Sequence, residues 1–92
     1  MSDLQEYLTN DIKVYVDVNV DHLTDGTILP RWFLWEDGRR YDVDKILDIR
    51  PAASLKAGGI GMRYTVRVMN KKTFMFLEEY QGANRWFMER RK

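Results

Sequence analysis

Apolar and polar residues alternate one by one from Ile12 to Val20. Ile12, Val14, Val16, Val18 and Val20 hold one parity; Lys13, Tyr15, Asp17 and Asn19 hold the other. A period of two predicts a half-buried strand. The alternation returns as Met62, Tyr64, Val66 and Val68 against Arg63, Thr65, Arg67 and Met69. Thr73 to Glu79 is apolar on both parities, Phe74 and Phe76 against Met75 and Leu77, which predicts a strand that is central or covered on both faces. Arg85 to Glu89 reads as a last strand before the basic tail Arg90-Arg91-Lys92.

Between these lies Arg31-Trp32-Phe33-Leu34-Trp35-Glu36-Asp37-Gly38-Arg39-Arg40-Tyr41-Asp42-Val43. Asp-Gly between two apolar runs is a strong hairpin signal. A two-residue turn at Asp37-Gly38 puts Trp32, Leu34, Tyr41 and Val43 on one face. A three-residue turn at Glu36-Asp37-Gly38, with Gly38 as a left-handed bulge, puts Phe33, Trp35, Tyr41 and Val43 there instead. The bulged turn is favoured, because it buries Phe33 and Trp35 rather than leaving them beside Arg40 and Asp42.

The remaining segments follow from breaks in the pattern. Asp21 to Thr27 reads as a loop, and Pro30 marks an edge or entry position in the next strand. Val43 to Ile49 breaks alternation, since Val43, Leu47 and Ile49 share a parity and Ile46 does not. A bulge or sharp bend is expected, as at a barrel corner, with Pro51 closing the strand. Ala52 to Gly61 reads as a mobile small-residue loop, and Asn70-Lys71-Lys72 and Gln81 to Asn84 as turns. Residues 1–11 are a polar lead-in; Ser2-Asp3-Leu4-Gln5 has capping-box spacing and suggests one or two helical turns. The expected fold is all-β: a small barrel of five to six short antiparallel strands over residues 12–92. Its core is expected to include Val14, Val16, Val18, Tyr64, Val66, Val68 and Trp86.

Composition narrows the function. The 92 residues make one domain, with 45% apolar residues and no cysteine. Disulfides and cysteine-based zinc sites are excluded, and a reducing, cytoplasmic setting is expected. No apolar run reaches the roughly 18 residues of a membrane span. Net charge is +1 but unevenly placed: residues 1–48 hold 11 acids against 5 bases, residues 49–92 hold 3 against 10. Such asymmetry points either to an anionic partner or to pairing of acidic and basic strands within the domain.

Catalytic chemistry finds little support. His22, the only histidine, sits in a polar stretch between Asp21 and Asp25. No serine or threonine has an evident base, and carboxylate pairs such as Asp42/Asp44 and Glu78/Glu79 read as solubilising charges. No enzyme activity, cofactor or metal is expected. Lys56 to Arg63 contains three glycines between basic residues and suits a phosphate wrap, without the context of a P-loop. Arg63 and Arg67 share one strand face, and Arg50, Lys56, Lys71 and Lys72 extend that basic patch toward DNA or RNA. Trp32, Tyr15 and Phe87 are candidate outward aromatics for a peptide groove.

The pattern Phe33-x-Trp35-x-x-Gly38-Arg39-x-Tyr41-x-Val43-x-x-Ile46-Leu47-Asp48, followed by Arg63-Tyr64-x-Val66-x-Val68 and Arg85-Trp86-Phe87, resembles a family of small uncharacterised bacterial proteins with SH3-like β-barrel folds. The run Ala52 to Gly59 looks typical of it. More loosely, the chain resembles a domain of unknown function encoded beside error-prone DNA polymerase genes. The resemblance implies an SH3-like barrel and carries no catalytic residues; the looser one implies a link to DNA repair. The expected function is a binding module: a protein–protein adaptor, or alternatively a nucleic-acid accessory protein, as a monomer or weak homo-oligomer.

Overall fold

A computed structural model describes residues 11–53 and 60–91, and every regular element among them is a strand. In chain order these are β1 (Asp11–His22), β2 (Ile28–Leu34), β3 (Arg40–Asp42), β4 (Lys45–Ala53), β5 (Ile60–Val68), β6 (Lys71–Tyr80) and β7 (Ala83–Arg91). All pair antiparallel in one sheet of order β3-β2-β1-β7-β6-β5-β4. The count is seven rather than five or six, because the Arg40–Ala53 stretch is two strands. The lead-in helical turns expected over residues 1–11 fall on residues 1–10, outside the described ones; Asp11 already belongs to β1.

The sheet curls into a half-barrel. Its edge strands β3 and β4 are joined by only Val43 and Asp44. The Val43 N–H donates to the Arg31 carbonyl of β2 (2.8 Å), and the Asp44 N–H donates to the Arg67 carbonyl of β5 (2.9 Å). Two consecutive residues therefore tie opposite ends of the strand order together. This is the sharp bend expected from the broken alternation. The bulge follows at once: Ile46 pairs with Val66 and Asp48 with Thr65, leaving Leu47 as the extra residue. Leu47 is 38% exposed, whereas Ile46 packs on the core. The parity that grouped Leu47 with Ile49 does not hold, because the bulge resets it.

The three-residue turn forms at Glu36-Asp37-Gly38. Phe33 pairs with Tyr41, the Gly38 N–H donates to the Trp35 carbonyl, and Gly38 has φ +85°. Phe33 is buried, and Trp35, Tyr41 and Val43 pack on the core. The segment read as a loop over Asp21–Thr27 is tighter than that. β1 runs on to His22, and Leu23 to Thr27 repeat the turn, with Gly26 N–H to Leu23 carbonyl and Leu23 N–H to Thr27 carbonyl, both 2.9 Å. In each copy the aspartate before the glycine accepts from the N–H two residues on: Asp25 from Thr27 and Asp37 from Arg39, both 2.9 Å. An Arg90–Glu36 ion pair (2.8 Å) holds the second turn against β7.

Further boundaries differ. β7 begins at Ala83, inside the stretch read as a turn over Gln81 to Asn84, and runs on to Arg91. Pro51 does not end its strand. β4 is an edge, so a residue without an N–H is tolerated, and pairing continues to Ala53↔Ile60. Ala52 and Gly61 consequently lie in strands rather than in a loop, and residues 54–59 lie outside the described ones. The β5–β6 turn is Met69-Asn70, both with positive φ, as a two-residue hairpin twisted to match its strands requires. Lys71 and Lys72 thus begin β6. Pro30 sits where expected, on a stretch of β2 that β3 does not flank.

The core lies on the concave face: Phe33, Tyr64, Val66, Val68, Met75, Leu77, Trp86 and Met88. Tyr64 and Trp86 meet with ring centroids 5.0 Å apart. Val16 and Val18 are half-buried against this cluster rather than part of it, and Val14 is also half-buried. β6 is central in the sheet, as its sequence implies. It is not covered on both faces by the described residues, for Phe74 is 40% exposed on the outer side.

Candidate functional site

Strand register carries the outer face from one sheet end to the other. Residues directly opposite in an antiparallel pair point the same way, about 4.8 Å apart across strands, and rows two residues on lie about 6.7 Å away. One row runs Tyr15↔Phe87↔Phe76↔Arg63↔Arg50, from β1 through β7, β6 and β5 to β4. The next holds Phe74↔Thr65↔Asp48, and the one beyond it Lys72↔Arg67↔Lys45.

The aromatic row is continuous. Phe76 and Phe87 stack at 4.8 Å with 9° between planes, Tyr15 meets Phe87 edge-on at 5.8 Å, and Phe74 meets Phe76 at 6.5 Å. Cations lie over it: Lys13 over Phe87 (4.4 Å), Arg85 over Tyr15 (4.5 Å) and Arg63 over Phe74 (4.8 Å). This pairs a ring's negative face with positive charge at the surface. Glu78 anchors one side, accepting from Tyr15 Oη (3.1 Å) and Arg85 and pairing with Lys13 (3.6 Å). Burial pushes the Glu78 carboxyl up, but the Arg85 hydrogen bond, the Lys13 charge and the Tyr15 hydroxyl outweigh it and hold the pKa below the ordinary glutamate value.

The sequence's basic patch divides by face. Arg50, Arg63, Arg67 and Lys72 are together on the outer face. Lys71 pairs with Val68, a core residue, and so belongs to the opposite face. Lys56 lies outside the described residues, as does most of the glycine-rich phosphate wrap, of which Ile60 to Arg63 form part of β5. Asp42 pairs with Arg40 (3.2 Å) and Glu78 is engaged as above, so neither acid neutralises Arg63 or Arg67. Arg50 pairs with Asp48 (2.7 Å). Among the described residues Arg67, Lys72 and Lys45 have no carboxylate partner, and the shielded Arg63 Nε has no acceptor. Among the described residues the ion pairs Lys13–Glu78, Arg50–Asp48 and Arg90–Glu36 link the two halves, and Arg31–Asp21, Arg39–Asp37, Arg40–Asp42 and Arg85–Glu78 each lie within one half.

Of the aromatic set, Tyr15 and Phe87 touch. Trp32 is on the same face but opposite Asn19, about 13 Å along β1 from Tyr15, under the Arg40 guanidinium at 4.4 Å. The three do not form one groove. A cleft of about 780 Å³ adjoins the row at Tyr15 and Arg85, where β1 passes from β7 to β2, and is lined further by Leu34, Trp35 and Trp86. His22 is exposed at the end of β1, and no three acidic or histidine side chains cluster among the described residues.

Sequence reasoning missed Phe74, Phe76 and Lys45. The two phenylalanines share the parity of Lys72 and Glu78, a signal that they face outward, but an apolar run on both parities masks it. Lys45 is invisible to alternation because the Leu47 bulge lies between it and the rest of β4. No family model, curated protein or solved structure matches this chain.

Proposed function

We propose that this protein is a non-enzymatic, cytoplasmic binding module whose outer sheet face holds single-stranded nucleic acid. The observation that carries the reading is the row Tyr15–Phe87–Phe76–Arg63–Arg50, which sets stacking surface beside Arg63, with the Lys72–Arg67–Lys45 row, free of carboxylate partners among the described residues, on the same face. Unpaired bases stack on aromatic side chains whatever their identity, and a cationic groove follows the phosphates. A duplex keeps its base faces hidden, so single strands are the preferred partner.

The test is fluorescence anisotropy with labelled single- and double-stranded DNA and RNA across a salt series. Single strands bind more tightly than duplexes, affinity falls with salt, and Phe74→Ala weakens binding by about tenfold, the effect of losing one stacked base at about 1–3 kcal/mol. Absence of salt-sensitive binding to any nucleic acid at low ionic strength overturns the reading.

A protein–protein adaptor is the second reading, favoured by the cleft beside Trp35 and Trp86. Loss of a partner's binding on Trp35→Ala, with nucleic-acid binding absent, supports it.

A further inference from the structure

Lys45, Arg67 and Lys72 stand directly opposite one another on three adjacent strands. Like charges in directly opposite positions destabilise a sheet. Here three occur in a row, all exposed, with no carboxylate partner among the described residues. Nothing in local strand formation calls for this. The Leu47 bulge is what delivers Lys45 to the outer face, since without it Lys45 and Ile46 exchange sides.

We propose that the Lys45–Arg67–Lys72 row is an anion site that seats the phosphates of the bound strand. This deepens the nucleic-acid reading and rests on it. The row is about 10 Å wide across its Cα atoms, enough for two phosphate groups. It runs parallel to the aromatic row and about 13 Å from it, with Phe74 between. A strand lying across β4, β5 and β6 therefore has its backbone on the cations and its bases turned toward Phe74 and Phe76. Arg63, held over Phe74, closes the space between. The backbone is confined to one side, which gives the face a fixed orientation for the strand rather than a diffuse positive field.

Lys71 supplies the control, because it is one residue from Lys72 and faces the other way. Lys72→Thr and Lys71→Thr remove the same charge. In the oligonucleotide salt series, Lys72→Thr shallows the log–log slope by about 0.7, the value for one phosphate contact on a single strand, and Lys71→Thr leaves it unchanged. Equal effects from the two variants overturn the proposal while leaving the nucleic-acid reading standing. A second arm needs no nucleic acid. Inorganic tripolyphosphate, against chloride at matched ionic strength, raises the melting temperature of the wild type and of Lys71→Thr, and does not raise that of Lys45→Thr/Arg67→Thr/Lys72→Thr. The triple variant is itself at least as stable as wild type at low salt, because the repulsion is gone. A tripolyphosphate shift that survives in the triple variant overturns the anion site; a row-dependent shift without oligonucleotide binding keeps the site and sinks its assignment to nucleic acid.

Discussion

The Tyr64 hydroxyl donates a 2.6 Å hydrogen bond to the carbonyl oxygen of Ile28. Tyr64 is in β5 and Ile28 in β2, with three strands (β1, β7 and β6) between them in the sheet, so the bond crosses the concave side and fastens the curl. Tyr64→Phe keeps the ring against Trp86 and leaves the Ile28 carbonyl without this donor. The expected cost is about 1–2 kcal/mol by chemical denaturation. A change within error shows that the curl holds without it.

Burial raises the Tyr64 pKa above the ordinary tyrosine value. The folded state therefore keeps a proton that the unfolded chain releases first. Its contribution is complete below the ordinary value of about 10 and is lost as pH rises through the higher folded one. Denaturation midpoints falling more steeply above pH 10 in wild type than in Tyr64→Phe are the expected outcome.

Glu78 has the opposite sign. Its pKa is lowered on balance, so its contribution is present above the ordinary glutamate value and lost as pH falls through the lower folded one. Wild type is more stable than Glu78→Gln at pH 7, and the difference closes in the acid range. A difference independent of pH assigns the effect to packing rather than to the ion cluster with Lys13 and Arg85.

Gly26 and Gly38 occupy equivalent places in the twin turns, with φ +94° and +85° and open space where a side chain would begin. Alanine at either is opposed by backbone strain alone. Each substitution costs about 1–2 kcal/mol, and the two costs are alike. Unequal values measured by urea titration show that the turns are not equivalent.

Leu47 is the extra residue of the β4 bulge. Leu47→Ala removes an exposed side chain and changes stability by less than about 0.5 kcal/mol. Deleting Leu47 joins Ile46, opposite Val66, directly to Asp48, opposite Thr65, so Ile46 and Ile49 both stay inward and only the kink of the bulge is lost. Thermal melting then shows a loss smaller than the roughly 1.5–3 kcal/mol of one buried aliphatic side chain. A loss of that size or more shows that the kink itself holds the corner after Val43.

Period-two patterning by itself determined which segments are strands, because an alternating side chain has only one way to bury its apolar half. The Ile12–Val20 and Met62–Val68 strands were legible for that reason. So was the bulged turn at Gly38, since Asp-Gly and the burial of Phe33 and Trp35 require the same register. The corner after Val43 was legible as a broken parity, and the apolar identity of Tyr64, Val66 and Trp86 as a core. Which strands lie side by side was not written locally. Tyr15 faces Phe87 from 72 residues away, and Phe76 faces Arg63 only because β5 and β6 pair around Met69-Asn70. Lys45 joins Arg67 and Lys72 through one extra residue in β4, a feature that alternation cannot place. The candidate site is a set of cross-strand rows, and a row exists only once long-range pairing fixes register. That is the physical reason its cations and aromatics read as scattered residues in the chain and as one face in the fold.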